Sequence, residues 1–181
     1  MSSKLLALKR QLSGPRGLLL LAIVLLGLGA VSYKLVPRVY NGRKLAALQG
    51  RNVYDVHADA ERELERALAS AKTLHKRVMV VMGGNWCQWC LTLDDLFRKD
   101  DELEHLLKSE FVTLKLDADA ASELDEQWGK PTELGVPVLV FLEPDGRLAH
   151  VQDMVPLESW GGRLLAYDRD EVYATLKRWV N

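Results

Sequence analysis

The chain has 181 residues, of which 48% are hydrophobic and 27% are charged, and its formal net charge is −1. The charges are unevenly distributed: nine basic residues precede the first acidic one, Asp55, and from there on 25 acidic residues outnumber 15 basic ones. The acidic character of the region after Asp55 argues against nucleic acid as its partner. The length of this region suits one domain with a hydrophobic core.

An apolar segment follows a basic N-terminal tail over residues 1–16. Gly17 to Tyr33 holds 17 residues without a charge, and the segment extends to Val36 if the Lys34 ammonium reaches the membrane surface. This length is at the short end of what spans a bilayer, so we predict a transmembrane signal anchor at residues 17–36. A cleaved signal peptide is the alternative, although no Ala-x-Ala cleavage sequence follows.

The flanking charges do not decide the orientation of this segment, because four basic residues precede it and four more soon follow it. A short tail ahead of a large domain favours export of the domain, and a single cysteine pair suits an oxidising compartment. We therefore expect a single-pass protein of a bacterial inner membrane with its domain in the periplasm. Residues 37–51 are interpreted as a solvated linker, and residues 52–181 as the domain.

Apolar periodicity predicts the elements of the domain in chain order. They are an amphipathic helix over residues 58–75, a buried strand at Arg77–Met82, a turn at 83–85, a short helix around Leu103–Leu107, buried strands at Phe111–Leu116 and Val138–Leu142, a hairpin turn at 144–146, and a closing helix containing Val172 and Leu176. Residues 152–168 match no regular element and are interpreted as an insertion.

The two cysteines of the chain, Cys87 and Cys90, stand three apart between a predicted strand and a predicted helix. A Cys-x-x-Cys that opens a helix is the usual arrangement for thiol–disulfide exchange, since one turn separates the sulfurs and the helix N-terminus favours the first thiolate. Cys87 is nearest the helix start, so we predict that it is the nucleophile and that Cys90 resolves the mixed disulfide.

Two other interpretations of the cysteine pair are weaker. A zinc site needs about four ligands, and the chain has neither a second Cys-x-x-Cys nor a histidine pair at zinc-binding spacing. A purely structural disulfide would close so short a loop that little entropy is removed from the unfolded chain. We predict a redox-active disulfide, with no metal and no other cofactor.

Two motifs together resemble the thioredoxin superfamily. Trp86-Cys87-Gln88-Trp89-Cys90 is similar to the family's Trp-Cys-x-x-Cys, and Gly135-Val136-Pro137 is similar to its strand entry. The resemblance covers residues 52–181 and implies an α/β thioredoxin-like fold, a central mixed sheet flanked by helices, preceded here by one transmembrane helix. It also implies a cis bond between Val136 and Pro137, which shapes the floor of the site. Among subgroups, the chain looks most like membrane-anchored or periplasmic thiol:disulfide interchange proteins.

Further residues near the motif carry hypotheses. Trp86 and Trp89 are predicted to form an apolar surface for a partner polypeptide, with core packing as the alternative for Trp86. Gln88 is uncharged and adds nothing to thiolate stabilisation. Lys115 is predicted either to tune the pKa of the buried sulfur or to lie at a solvated strand edge. Many relatives have a buried acid where this chain has Val81, so a proton acceptor must come from elsewhere or from water.

Two classes of function follow from the resemblance. The first is a membrane-tethered thiol:disulfide oxidoreductase that exchanges disulfides with partner proteins and is recycled by a redox partner, which the membrane could hold. The second is a thioredoxin-like assembly or metallochaperone factor whose two thiols hold a soft ion such as Cu(I) or bind a partner protein. Met79 and Met82 lie in a predicted strand, where methionine usually packs in the core, so the enzyme is favoured.

Overall fold

The computed structural model describes residues 15–180, and their side chains from residue 18 onward. Most of the basic tail predicted over residues 1–16 lies outside the described residues. The chain divides into two compact units, Met1–Gly42 and Arg43–Asn181.

The described residues of the first unit are helical. Their helix, α1, runs from Pro15 to Leu48, and the transmembrane anchor predicted at residues 17–36 lies within it. Leu18–Leu48 has the length and composition to cross a membrane, with a mean hydropathy of 2.2 over its most apolar window, and no other described helix does. The side chains of residues 18–36 are all exposed, as expected of a helix that needs an apolar environment around it.

The end of α1 differs from the solvated linker predicted over residues 37–51. The backbone stays helical through residue 48, and residues 43–48 belong to the second unit. Leu48 is 3% exposed and packs against Leu91 and Leu165, while Lys44 forms an ion pair with Asp95 at 2.7 Å. Burial of one leucine and pairing of one lysine hold this segment against the domain, so the domain begins before residue 52.

The second unit contains a four-stranded mixed sheet with helices around it. Its helices are α2 (Ala60–Leu74), α3 (Gln88–Lys99), α4 (Asp101–Glu110), α5 (Ser122–Gln127) and α6 (Arg169–Arg178). Its strands are β1 (Arg77–Gly83), β2 (Phe111–Asp117), β3 (Val138–Leu142) and β4 (Leu148–Asp153), in the spatial order β2-β1-β3-β4. β1 is parallel to β2 and antiparallel to β3, which pairs antiparallel with β4. The predicted α/β fold class is thus confirmed.

Both faces of the sheet are buried, which explains the continuous apolar run in its central strands. Successive side chains of β1 point to opposite faces. Val80 belongs to the core cluster that contains Ala71 of α2, whereas Met79 and Val81 belong to the cluster that contains Leu93 of α3. The strand therefore ends between two packed layers, and α3 starts beside it.

The segment predicted as an insertion, residues 152–168, contributes to the core. β4 extends to Asp153, a short 3-10 helix covers Val155–Leu157, and Glu158 forms an isolated bridge with Tyr167. Four of its side chains are buried: Met154, Leu157, Leu165 and Tyr167. Their spacing follows neither a helix nor a strand, so periodicity could not identify them as core.

Leu48→Ala is expected to lower the free energy of unfolding of the domain by about 2–4 kcal/mol, because it empties a buried site. Leu74→Ala removes the same atoms from a side chain that is 54% exposed, so it should change stability by less than about 0.5 kcal/mol. Urea unfolding of the full-length protein in detergent, followed by tryptophan fluorescence, measures both. Equal midpoints for the two variants would contradict the packing of Leu48.

Candidate active site

The two cysteines lie where β1 meets α3, as predicted. Cys87 is the N-cap residue of α3 in extended conformation, and the structure joins it to Cys90 in a disulfide with Cα atoms 5.2 Å apart. The backbone N–H of Cys90 donates to Sγ of Cys87 at 3.1 Å. An N–H directed at this sulfur and a free helix N-terminus both favour negative charge, so the geometry suits a thiolate at Cys87 after reduction.

The two sulfur-bearing residues differ in their surroundings. Cys87 is 6% exposed and Cys90 only 1%, so a partner reaches Cys87 more easily. Sγ of Cys87 lies 3.5 Å from the carbonyl oxygen of Val136. In the disulfide this sulfur carries no proton and the approach is a van der Waals contact, whereas the reduced thiol has a proton to donate there.

Val136 and Pro137 lie beside the disulfide. Their peptide bond is cis, as the resemblance implied, and Pro137 is buried directly ahead of β3. Val136 is half-buried and packs against the small cluster formed by Tyr54 and the two cysteines. The loop before β3 therefore bounds the site on the Cys87 side.

The side chains around the cysteines divide into exposed and packed ones. Trp86 is 67% exposed, and Gln88, the first residue of α3, is exposed too. Trp89 is half-buried, and its ring meets that of Tyr167 edge-on with centroids 5.4 Å apart. Trp86 thus offers exposed apolar surface next to the disulfide, whereas Trp89 mainly packs within the domain.

Tyr54 is a component of the site that the sequence did not reveal. It is 1% exposed, packs against both cysteines, and its hydroxyl is buried without a hydrogen-bond partner in the described part of the chain. Gly83 makes this approach possible: a Cβ there would stand 2.7 Å from Sγ of Cys90 and 2.8 Å from the hydroxyl oxygen of Tyr54. No side chain other than hydrogen fits at Gly83 without displacing one of them.

Asn85 holds the segment that carries Tyr54. Its Oδ1 accepts hydrogen bonds from the backbone N–H groups of Val53 at 2.7 Å and Tyr54 at 3.0 Å. Its Nδ2 donates to the carbonyl oxygen of Tyr54 at 2.7 Å. One amide side chain in the turn before the cysteines thereby satisfies three backbone groups of an otherwise irregular segment and fixes the position of the tyrosine.

Two acidic residues of α3, Asp94 and Asp95, are buried and were not predicted either. Each is surrounded by basic side chains: Arg51, Arg98 and Lys115 pair with Asp94, and Lys44, Arg51, Arg98 and Lys99 pair with Asp95. Lys115, for which a role near the buried sulfur was one hypothesis, is 30% exposed and forms its ion pair with Asp94. Several of the partners are distant in sequence, so no local sequence pattern predicts this cluster of ion pairs.

Burial and ion pairing act in opposite directions on these carboxyl groups. Burial tends to raise the pKa of Asp94, but the ammonium of Lys115, with Arg98 and Arg51, outweighs it and holds the pKa below its ordinary value. Lys44 and Lys99 outweigh burial at Asp95 in the same way and lower its pKa. Both side chains are therefore carboxylates at neutral pH. Burial, aided by Asp94 and Asp117, raises the pKa of Tyr54 far above its ordinary value, so this phenol keeps its proton.

Val81 occupies the position where many relatives have an acid. It is 2% exposed and lies in the sheet between Lys115 of β2 and Leu139 of β3. It belongs to the core cluster that contains Leu93. The strand next to the disulfide thus supplies packing and no titratable group at this position.

Comparison with known proteins agrees with this geometry. Residues 59–144 match a family model described as thioredoxin-like. A disulphide isomerase from Xylella fastidiosa Temecula1 is 29% identical, with a TM-score of 0.59 over 71% of this chain and 97% of that one. The domain is thioredoxin-like in both sequence and fold. It therefore has the fold and the cysteine pair of a thiol:disulfide oxidoreductase, and the resemblance seen in the sequence is confirmed.

Two more distant structures are also similar to this thioredoxin-like domain. A thioredoxin from Thermus thermophilus is 24% identical with a TM-score of 0.47, covering 63% of this chain and 81% of that one. A protein titled DsbH Oxidoreductase is 21% identical with a TM-score of 0.44, covering 62% of this chain and 81% of that one. The comparison with curated proteins found no match.

Gly83→Ala is expected to lower the free energy of unfolding by about 1–3 kcal/mol, because its methyl group must displace Cys90 or Tyr54. Gly42→Ala is the matched control: it places the same methyl group on a helix with nothing within 4 Å. It should leave the stability of the domain unchanged. Urea unfolding of both oxidised proteins measures the difference. Wild-type stability in Gly83→Ala would show that a methyl group fits beside Cys90 and Tyr54, and would contradict the packing at Gly83.

Proposed function

We propose that the protein is a membrane-tethered thiol:disulfide oxidoreductase that exchanges disulfides with partner proteins on the periplasmic side of a bacterial inner membrane. The disulfide at the start of α3 carries this proposal, since its more accessible sulfur is the one at the helix N-terminus. The candidate membrane span in the same chain supports the tether, and the similarity to a disulphide isomerase supports protein substrates.

In the reducing direction, the Cys87 thiolate attacks one sulfur of a partner disulfide. A mixed disulfide forms, and the second partner sulfur leaves as a thiolate and takes up a proton. Cys90 then loses its proton and attacks Sγ of Cys87, which releases the remaining partner sulfur and restores the Cys87–Cys90 disulfide. Two electrons pass to the partner in each cycle. The reverse sequence oxidises a partner dithiol.

The surrounding residues have distinct parts in this exchange. The helix N-terminus and the Cys90 N–H stabilise the Cys87 thiolate, and exposed Trp86 offers apolar surface to the partner chain. Val136 and Pro137 bound the site where the mixed disulfide forms. The cysteine pair carries two electrons as a dithiol and needs no further cofactor. A second redox partner at or within the membrane restores the starting state of the pair.

Cys90→Ala is expected to accumulate mixed disulfides with partner proteins, because Cys87 still attacks and nothing resolves the product. Cys87→Ala is the matched control and should accumulate none, since its remaining thiol is buried. Non-reducing electrophoresis of cells expressing each variant, repeated after reduction, detects the adducts. Equal trapping by both variants, or trapping by Cys87→Ala alone, would remove the assignment of Cys87 as nucleophile.

Alkaline carbonate extraction should leave the full-length protein in the membrane fraction, because residues 17–36 anchor it. In spheroplasts, a membrane-impermeant thiol reagent should label Cys87 of the Cys90→Ala variant after mild reduction. A cytoplasmic protein with an exposed thiol serves as the control and should be labelled only after lysis. Release of a shortened soluble product would indicate a cleaved signal peptide, and labelling of Cys87 only after lysis would place the domain in the cytoplasm.

A further inference from the structure

The hydroxyl group of Tyr54 has no explanation in packing alone. The ring is 1% exposed and fills the space beside the disulfide, which a phenylalanine would fill equally well. The hydroxyl oxygen is buried and lacks a hydrogen-bond partner in the described residues, an arrangement that is unfavourable for folding. A buried donor that the folded state leaves unpaired suggests an acceptor that exists only in another state of the protein.

The position of the hydroxyl makes Cys90 the candidate for that acceptor. The hydroxyl oxygen and Sγ of Cys90 lie 2.8 and 2.7 Å from the same point, the place where a Cβ of Gly83 would stand. Because Gly83 has no side chain, no Cβ lies between the two atoms. A disulfide sulfur is a weak acceptor, but the same sulfur becomes a strong one when the disulfide opens and leaves it with a negative charge.

We propose that the Tyr54 hydroxyl donates a hydrogen bond to the Cys90 thiolate whenever the disulfide is open. The inference rests on the proposed function. When a partner thiolate attacks Cys87, the Cys87–Cys90 bond breaks and Cys90 leaves with the electron pair. Tyr54 stabilises that leaving thiolate and, in the opposite direction, the thiolate that attacks the mixed disulfide.

The groups that face Tyr54 keep its hydroxyl protonated. Asp94 of α3 and Asp117 at the end of β2 add to the effect of burial in raising the pKa of Tyr54, and Tyr54 in turn helps to raise the pKa of the Tyr167 phenol. The carboxylate of Asp94 is ionised, and Lys115, Arg51 and Arg98 balance its charge. These cations are engaged with Asp94, whereas Tyr54 packs against both cysteines. Tyr54 keeps its proton throughout, since burial raises the pKa of the phenol, and it therefore acts as a donor and not as a base.

The experiment uses the reduced full-length protein in detergent and dithiobis-nitrobenzoate, whose released thiolate is coloured. Cys87 attacks first and releases one coloured thiolate; Cys90 then attacks the mixed disulfide and releases the second. A hydrogen bond to a thiolate lowers the thiol pKa by about one to two units, and reduced nucleophilicity cancels nearly half of the gain. Tyr54→Phe should therefore slow the second release about three- to tenfold at neutral pH and leave the first unchanged.

Tyr167→Phe is the matched control, because it deletes another buried hydroxyl without a partner, in a tyrosine that packs against Trp89. It should alter neither phase. Two further readouts separate a hydrogen bond from packing. The difference in the rate of the second release between Tyr54→Phe and wild type should narrow as pH rises through the Cys90 pKa. The NMR chemical shift of Cys90 Cβ, followed against pH, should report a higher thiol pKa in Tyr54→Phe.

Three results would overturn the inference while leaving the proposed function intact: an unchanged second phase in Tyr54→Phe, equal slowing by Tyr167→Phe, or slowing of both phases together. A wild-type protein that releases no second thiolate would instead refute the exchange reaction itself, and the inference with it. Urea unfolding of oxidised Tyr54→Phe should give a midpoint no lower than wild type, since the lost hydroxyl is unpaired there.

Discussion

The close packing of Cys90 and Tyr54 against the bare backbone of Gly83 is the constraint on which the site depends. β1 must bring its last residues into the interior while α3 starts immediately beside it, and there is space for the buried sulfur only because Gly83 lacks a side chain. Asn85 completes the arrangement by bonding the backbone of Tyr54. The turn between β1 and α3 thus positions both the cysteine pair and Tyr54.

Charge pairing holds α3 to segments that come before and after it in the chain. Asp94 and Asp95 are buried, and buried carboxylates are tolerated only with cationic partners. Arg51 and Lys115 provide partners from outside the helix, so the residues following α1 become part of the domain. The pKa values of both carboxyl groups are lowered in the folded state; their stabilisation is therefore complete at neutral pH and is lost as pH falls through those lowered values.

Features encoded by neighbouring residues could be predicted from the sequence, whereas those that join distant segments could not. The buried strands and the helix after the cysteines follow from short patterns, and the cis bond before Pro137 follows from the resemblance of this segment to a family motif. Leu48 looks like any apolar residue at the end of a candidate membrane span, and its burial and contact with Leu165 show that it is core. Tyr54 likewise stands in an irregular segment, and its place beside Cys90 depends on tertiary packing.

Val81 and Tyr54 both favour negative charge on the buried sulfur of Cys90. A carboxyl group in the strand would titrate near the sulfur, and its charge would oppose the thiolate whenever it lost its proton. A phenol with a raised pKa is neutral throughout the physiological range and can donate its proton in a hydrogen bond to the thiolate. Three cations already balance the buried carboxylate of Asp94, and a neutral donor favours an open disulfide without adding a second buried charge that would need its own cation.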